Sequence, residues 1–256
     1  GEFHRNLKIS DFDIGIFSTV TFLSLFGVVM IASVTIPLTD GSLSMTFNHI
    51  VKLILSIFIG LLIFRVSLST WKKIDIFLII FSFFLLTLVF FPFIGFEANG
   101  ASRWIRILGF SFQPSELMKF SLIIYISSYC FRRMTEFKEK WLGFWKPVLV
   151  VISAIALVLV EPDLGSSAVI FLISLTIMFI AGAPLKQMLI IFFMGLSVFV
   201  SMILLVPWRM NRILSFVDPW SNYGESGYQL SQALIAFSRG DLFGVGLGES
   251  LQKYHY

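Results

Sequence analysis

Three clusters of polar and ionisable residues break an otherwise apolar sequence. The first is NGASRWIRILGFSFQPSELMKF, residues 99–120. Arg103 and Arg106 stand three apart, so an interfacial helix would turn both guanidiniums the same way, and the guanidinium fork matches phosphate geometry. Pro114 suits a first helical turn, where its missing N–H costs nothing. Glu116 and Lys119, three apart, share one helix face as an ion pair. The second cluster is LVEPDLGSSAV, residues 159–169, in which Glu161 and Asp163 flank Pro162. Asp163 fits the N-cap of the helix that follows, accepting from the amide of Gly165 or Ser166. Glu161 has no such duty. The two carboxylates could hold a cation or orient a cationic partner such as Lys119, but two ligands make a weak metal signature.

The third cluster runs from Pro207 to Tyr256 and holds Arg209, Arg212, Asp218, Glu225, Gln229 and Gln232 with Gly240, Gly244, Gly246 and Gly248. Its GDLFGVGLG string lacks the preceding strand and the βαβ setting of a dinucleotide loop. Its glycines serve tight turns or close backbone approach to a ligand.

These clusters need unusual surroundings. Of 256 residues, 57% are hydrophobic and 13% charged, with a mean hydropathy of +0.90, against about 25% charged in a soluble domain. A water-soluble globule is excluded. The apolar runs suit helices of about 20 residues, the length that crosses a hydrocarbon core. They predict an all-α fold, a polytopic transmembrane helical bundle with spans near 14–36, 50–66, 74–94, 114–131, 147–160, 164–182 and 188–206. Ionisable groups at membrane depth face a bundle interior or a water-filled cavity and mark function. The fifth span, Pro147–Val160, would reach only about 21 Å at 1.5 Å per residue, ending below the surface.

The net charge of +4 and pI near 9.2 do not signal nucleic acid, because the basic residues lie in short inter-span loops. Arg5, Lys8, Arg65, Lys72, Lys73, Arg132, Arg133, Lys138, Lys140, Lys146 and Lys186 fall on one side. The positive-inside rule makes that side cytoplasmic and the N-terminus with it. Residues 207–256 then form a long extracytoplasmic loop, and loops of that length carry function. The lone Cys130 can form no disulfide within the chain. The first apolar run is too long for a signal-peptide core, so it is a retained anchor. The opening Gly1-Glu2-Phe3, without Met, suggests an excised piece or a cloning scar.

The segments GASRWI, FQPSELMK, EPDLGS and DPW…SGYQLSQALIAFSRGDLFGVGLGESLQK, in that order, resemble the signature segments of the FtsW/RodA/SpoVE family, from Asp11 onward. The last segment, with its QKYHY ending, is more similar to the division branch. The resemblance implies a bundle of about ten spans that polymerises lipid II, a disaccharide-pentapeptide on undecaprenyl pyrophosphate, into glycan strands. It also implies a class B penicillin-binding protein and other division proteins as partners, and a bacterial cytoplasmic membrane at the septum as the location. In the family a Leu-Pro-Glu-x-x-Thr-Asp-Phe motif follows the glycine-rich segment, and its Asp is the leading candidate for the catalytic base. Tyr256 precedes that motif, so the catalytic residue is expected outside this chain, and the chain alone is expected to be inactive.

The residues that remain are read as substrate-binding or supporting groups: Arg103, Arg106, Glu116, Lys119, Asp163, Arg209, Arg212, Asp218 and Gln229. Glycosyl transfer asks for a general base and for cations that neutralise the departing pyrophosphate. The cations are in the sequence. Two alternatives use the same residues: a pathway that flips the lipid headgroup across the bilayer, and a scaffold that binds a single-pass partner. No resident metal or cofactor is expected beyond a possible divalent cation. Membrane lipids are expected as partners, and nucleic acid is not.

Overall fold

The computed structural model describes residues 13–38, 41–91, 95–98, 101–107, 110–221, 223 and 226–253. Two compact units divide them: Ser67–Leu205, and residues 13–66 together with 206–253.

In the unit from Ser67, helix α3 (Leu68–Leu88) starts at an N-cap where Ser67 Oγ accepts from the Thr70 amide. A three-stranded antiparallel sheet follows: β1 (Gly95–Ala98), β2 (Ala101–Ile107) and β3 (Phe110–Phe112). Ile105 pairs with Phe112 and Arg106 with Ser111. Then come α4 (Pro114–Arg132), the short α5 (Met134–Glu139), α6 (Trp141–Val160), α7 (Leu164–Ile180) and α8 (Leu185–Leu204). The core lies between α3, α4, α6 and α7, where Leu86, Met118, Ile126, Ala154, Val158 and Ile170 are buried. Small and hydroxyl residues let these helices approach, as membrane helices require when lipid is as apolar as leucine. Ser82 and Ser121 share a buried hydrogen bond of 2.6 Å between α3 and α4. At Gly195 of α8, an added Cβ would lie 2.3 Å from the Phe171 ring of α7.

α6 corrects the fifth span. It begins at Trp141, so it has 20 residues rather than 14, and Pro147 lies inside it. Proline removes the amide that would bond the carbonyl four residues back, here that of Gly143. The Tyr129 hydroxyl of α4 donates to that carbonyl at 2.8 Å instead. A neighbouring helix has supplied the missing donor, and the helix continues through its proline. Gly143 is equally constrained, since a Cβ there would sit 2.0 Å from the Glu136 carbonyl oxygen. α7 closes on Gly182 at φ +83°, with the Gly182 amide bonded to Phe179 O and the Ala183 amide to Met178 O, a Schellman end.

The other unit pairs α1 (Ile14–Leu38) with α2 (Ser44–Arg65), joined by a hydroxyl contact of 3.2 Å between Thr35 and Thr46. α9 (Pro207–Val217), α10 (Tyr228–Gly240) and a 3-10 turn at Leu251–Lys253 also belong to it. The Gly248 amide donates to Ser33 Oγ of α1 at 2.7 Å. Residues 207–256, read as one loop, thus carry two helices.

The chain is a polytopic helical membrane protein. Among the described residues α1, α2, α6 and α8 are long and apolar enough to cross a membrane, and α7 is a shorter apolar helix of 17 residues. The helices matching the third and fourth spans, α3 and α4, carry Lys72, Lys73 and Asp75, and Glu116, Lys119 and Arg132. α2 and α3 each start six residues before the expected boundary, because hydropathy marks where a helix turns apolar and not where its backbone begins. Residues 92–94, the expected end of the third span, lie outside the described residues, as do Arg5, Lys8 and Glu225.

Candidate functional site

In the Ser67–Leu205 unit, β2, the start of α4 and the turn between α6 and α7 meet in one polar constellation. Arg103 lies on β2 and reaches the turn, donating from Nε to the Glu161 carbonyl at 2.9 Å and from Nη2 to the Pro162 carbonyl at 2.7 Å. Gln113, immediately before Pro114 at the mouth of α4, donates to Asp163 Oδ2 at 3.2 Å. Asp163 caps α7, its Oδ1 accepting from the Ser166 amide at 2.9 Å and its Oδ2 from the Ser166 hydroxyl at 2.7 Å. A strand, a helix mouth and a helix start thereby hold one turn.

The side chain of Glu161 lies in that turn. It is 1% exposed, and neither carboxylate oxygen has a hydrogen-bond partner. Burial, and secondarily the Asp163 charge, push its carboxyl up to about 8, with Arg103 acting in the opposite direction. Burial without donors disfavours its charged form. Lys119 does not pair with it, because its Nζ lies 2.7 Å from Glu116 Oε1 on the same helix. Lys119 is the more covered partner, at 19% against 59% for Glu116.

The expected alignment of Arg103 and Arg106 is corrected by the sheet. Both lie on a strand, where residues an odd number apart point to opposite faces. Arg103 is half-buried against the turn and Arg106 is exposed. The remaining candidates lie in the other unit. Arg209 and Arg212 are on α9, with the Arg209 guanidinium 5.2 Å from the Trp208 ring. Asp218 caps the end of α9, and its Oδ1 accepts from the Trp220 and Ser221 amides at 3.2 and 3.3 Å. Gln229 is exposed in the first turn of α10. Among the described residues no three His, Cys, Asp or Glu side chains come close enough to hold a metal ion.

Sequence reasoning missed one contributor to the turn and two buried or bridging carboxylates elsewhere in this unit. Gln113 carries no ionisable group, and only its place before Pro114 hinted at a role. Asp75 of α3 is 2% exposed and pairs with Arg132 of α4 at 2.7 Å, while Arg132 also donates to the Lys72 carbonyl at 3.1 Å. Its signal was a carboxylate beside an apolar run. Glu136 of α5 bridges Arg133 at 2.7 Å and Lys146 at 2.5 Å. Those two cations hold its carboxyl well down, to about 2.

Comparison with known proteins places these residues in a family setting. The model of the FtsW/RodA/SpoVE family, described as "Cell cycle protein", matches residues 14–256. A probable peptidoglycan glycosyltransferase FtsW of Saccharophagus degradans is 41% identical over 248 residues, covering 95% of this chain and 64% of that relative. The one from Aliivibrio salmonicida is 39% identical over 238 residues, covering 91% and 59%. The chain thus spans about three fifths of the length of these curated relatives. Among solved structures, one showing structural coordination of polymerization and crosslinking by a peptidoglycan synthase complex is similar with a TM-score of 0.71 and 26% identity, over 91% of this chain and 67% of that one. The rod shape determining protein RodA of Thermus thermophilus matches in fold, with a TM-score of 0.62 and 24% identity over 75% of this chain and 60% of RodA.

Proposed function

The chain belongs to the FtsW/RodA/SpoVE family of cell cycle proteins, and on that premise we propose that it serves a peptidoglycan glycosyltransferase that polymerises lipid II during cell division. The relatives at 41% and 39% identity bear that activity in their names. The observation that carries the reading to particular residues is the braced turn, where Arg103, Gln113 and Asp163 hold the backbone around a buried Glu161 whose carboxylate oxygens have no hydrogen-bond partner.

In this reading an acceptor hydroxyl attacks the anomeric carbon of a lipid-linked donor, and the bond to pyrophosphate breaks. Negative charge grows on the departing pyrophosphate, and preorganised cations lower that barrier. Arg103 is the cation assigned at the turn, Arg106 and Lys119 those assigned on β2 and α4, and Arg209 and Arg212 those assigned on α9. Glu116, Asp163, Asp218 and Gln229 are supporting groups, which orient the cations and the loops. The general base is assigned to no residue of this chain. A class B penicillin-binding protein is the proposed partner, supported by the resemblance to the chain in a peptidoglycan synthase complex. The proposed location is the bacterial cytoplasmic membrane at the septum, with an N-terminus in the cytoplasm and seven spans along the described helices.

The test supplies labelled lipid II to the purified full-length protein with its class B partner in detergent, and resolves the products by gel. Glycan polymer is the expected result. A folded complex that binds lipid II and yields none would overturn the reading. Arg103→Lys keeps the charge but loses the fork, so unchanged polymerisation by that variant removes Arg103 from the site. Repeating the assay with EDTA decides the divalent-cation expectation.

A further inference from the structure

One helix has its apolar face turned the wrong way for a surface in water. In α9, Met210, Ile213, Leu214 and Val217 follow the i, i+3, i+4, i+7 spacing of a single apolar stripe. A helix on a water-soluble protein packs that stripe inward. Here Ile213, Leu214 and Val217 are 44%, 52% and 78% exposed. The residue α9 buries is Ser215, whose hydroxyl donates to the Asn211 carbonyl at 2.7 Å and shares a further hydrogen bond with Ser226. The packed side is polar and the outer side is apolar.

The covalent chain limits where that outer side can be. Only Leu205 and Val206 separate α9 from the last residue of the apolar helix α8, so three residue steps reach at most about 10 Å. α9 therefore begins within that reach of the end of a helix long and apolar enough to cross a membrane. Its first turn carries Trp208, 53% exposed, a residue type enriched at the membrane–water boundary. Arg209 and Arg212, three apart, lie on the flank of the helix next to Ile213, with Phe216, 76% exposed, between them. Helices that lie in the headgroup plane carry an apolar side below and basic residues that reach the phosphates, and α9 offers an aliphatic stripe with two arginines beside it.

We infer that α9 is an interfacial helix, lying flat on the bilayer at the end of α8 with Ile213, Leu214 and Val217 among the upper acyl chains and Arg209 and Arg212 at the lipid phosphates. The occupant of its apolar face is the lipid surface itself. α10 repeats the pattern with Leu230, Ala233, Leu234 and Phe237, but no spanning helix fixes its depth within a few residues, and it is not assigned. The inference stands apart from the glycosyltransferase reading, since it concerns depth and requires no turnover.

The experiment places single nitroxide labels at Ile213, Val217 and Asn211 of the full-length protein, with native cysteines replaced, in phosphatidylglycerol–phosphatidylethanolamine vesicles. Power saturation then compares collisions with oxygen, which concentrates in acyl chains, and with a water-soluble nickel chelate. Oxygen should exceed nickel severalfold at Ile213 and Val217, and the order should reverse at Asn211. Nickel dominance at Ile213 and Val217 would place the stripe in water and overturn the inference. Low collision rates with both reagents would overturn it as well, because a protein segment would then cover the stripe. An exposed label on α9 disturbs no buried contact, and a matching elution profile shows that each labelled protein is folded.

Discussion

The continuous course of α6 through Pro147 depends on a hydroxyl from another helix, and that dependence can be measured. Tyr129→Phe keeps the ring, its edge contact with Phe137 at 6.5 Å between centroids, and its place in the core. It removes only the donor 2.8 Å from the Gly143 carbonyl. That carbonyl belongs to a buried residue, and leaving such an acceptor unsatisfied costs about 1–3 kcal/mol. Pro147→Ala restores a backbone amide at the position that ordinarily bonds to Gly143 O. In the double variant that amide takes the place of the phenol, so Tyr129→Phe should then cost less than about 0.5 kcal/mol. The coupling between the two sites should accordingly be about 1–2 kcal/mol. The assay is equilibrium unfolding of the purified protein in mixed micelles, run as a complete four-variant cycle. If Tyr129→Phe costs the same in the Pro147→Ala background as it does with the proline in place, the hydroxyl is not standing in for the missing amide and the argument fails.

Other outcomes follow from the same contacts. Gly143→Ala should separate α5 from α6, since its Cβ would meet the Glu136 carbonyl at 2.0 Å; a loss of roughly 2 kcal/mol or more is expected, and an unfolding midpoint equal to that of the parent would refute it. Arg132→Ala should destabilise by about 3 kcal/mol and more than Asp75→Asn does, because it strands a carboxylate that is 2% exposed, whereas the converse change strands a cation that is 40% exposed; equal effects would refute the asymmetry. Burial pushes the Glu161 carboxyl up to about 8 in the folded chain, from 4.5 for the free group. Between those values the unfolded chain is ionised while the folded one holds the proton, so stability is full below about pH 4.5, falls by up to about 1.4 kcal/mol per unit as pH rises, and levels off above 8. Glu161→Gln should flatten that slope, and an unchanged pH profile in unfolding titrations would show that Glu161 is ionised in the folded state.

Some of this protein was legible in the sequence because it depends on local or one-dimensional properties. Apolar length specified membrane helices, since the bilayer sets a fixed thickness to cross. The cap at Asp163 and the Glu116–Lys119 pair were readable because each joins residues three apart. The family was readable from its four ordered segments, and the comparisons agree. The tertiary structure alone decided the rest. Whether Pro147 starts a helix or lies inside one depends on a donor from Tyr129, 18 positions away in the chain, and no local rule reports it. Whether Arg103 and Arg106 face together depends on the choice of strand over helix for ASRWIRI, which the pairing of Ile105 with Phe112 settles. Glu161 has the same letters around it wherever it lies, and only its enclosure, with Arg103 donating to backbone carbonyls 58 and 59 residues away and not to the carboxylate, leaves its oxygens without donors. Spacing along one helix determines contacts within a turn; the state of a buried group is determined by what other elements bring to it.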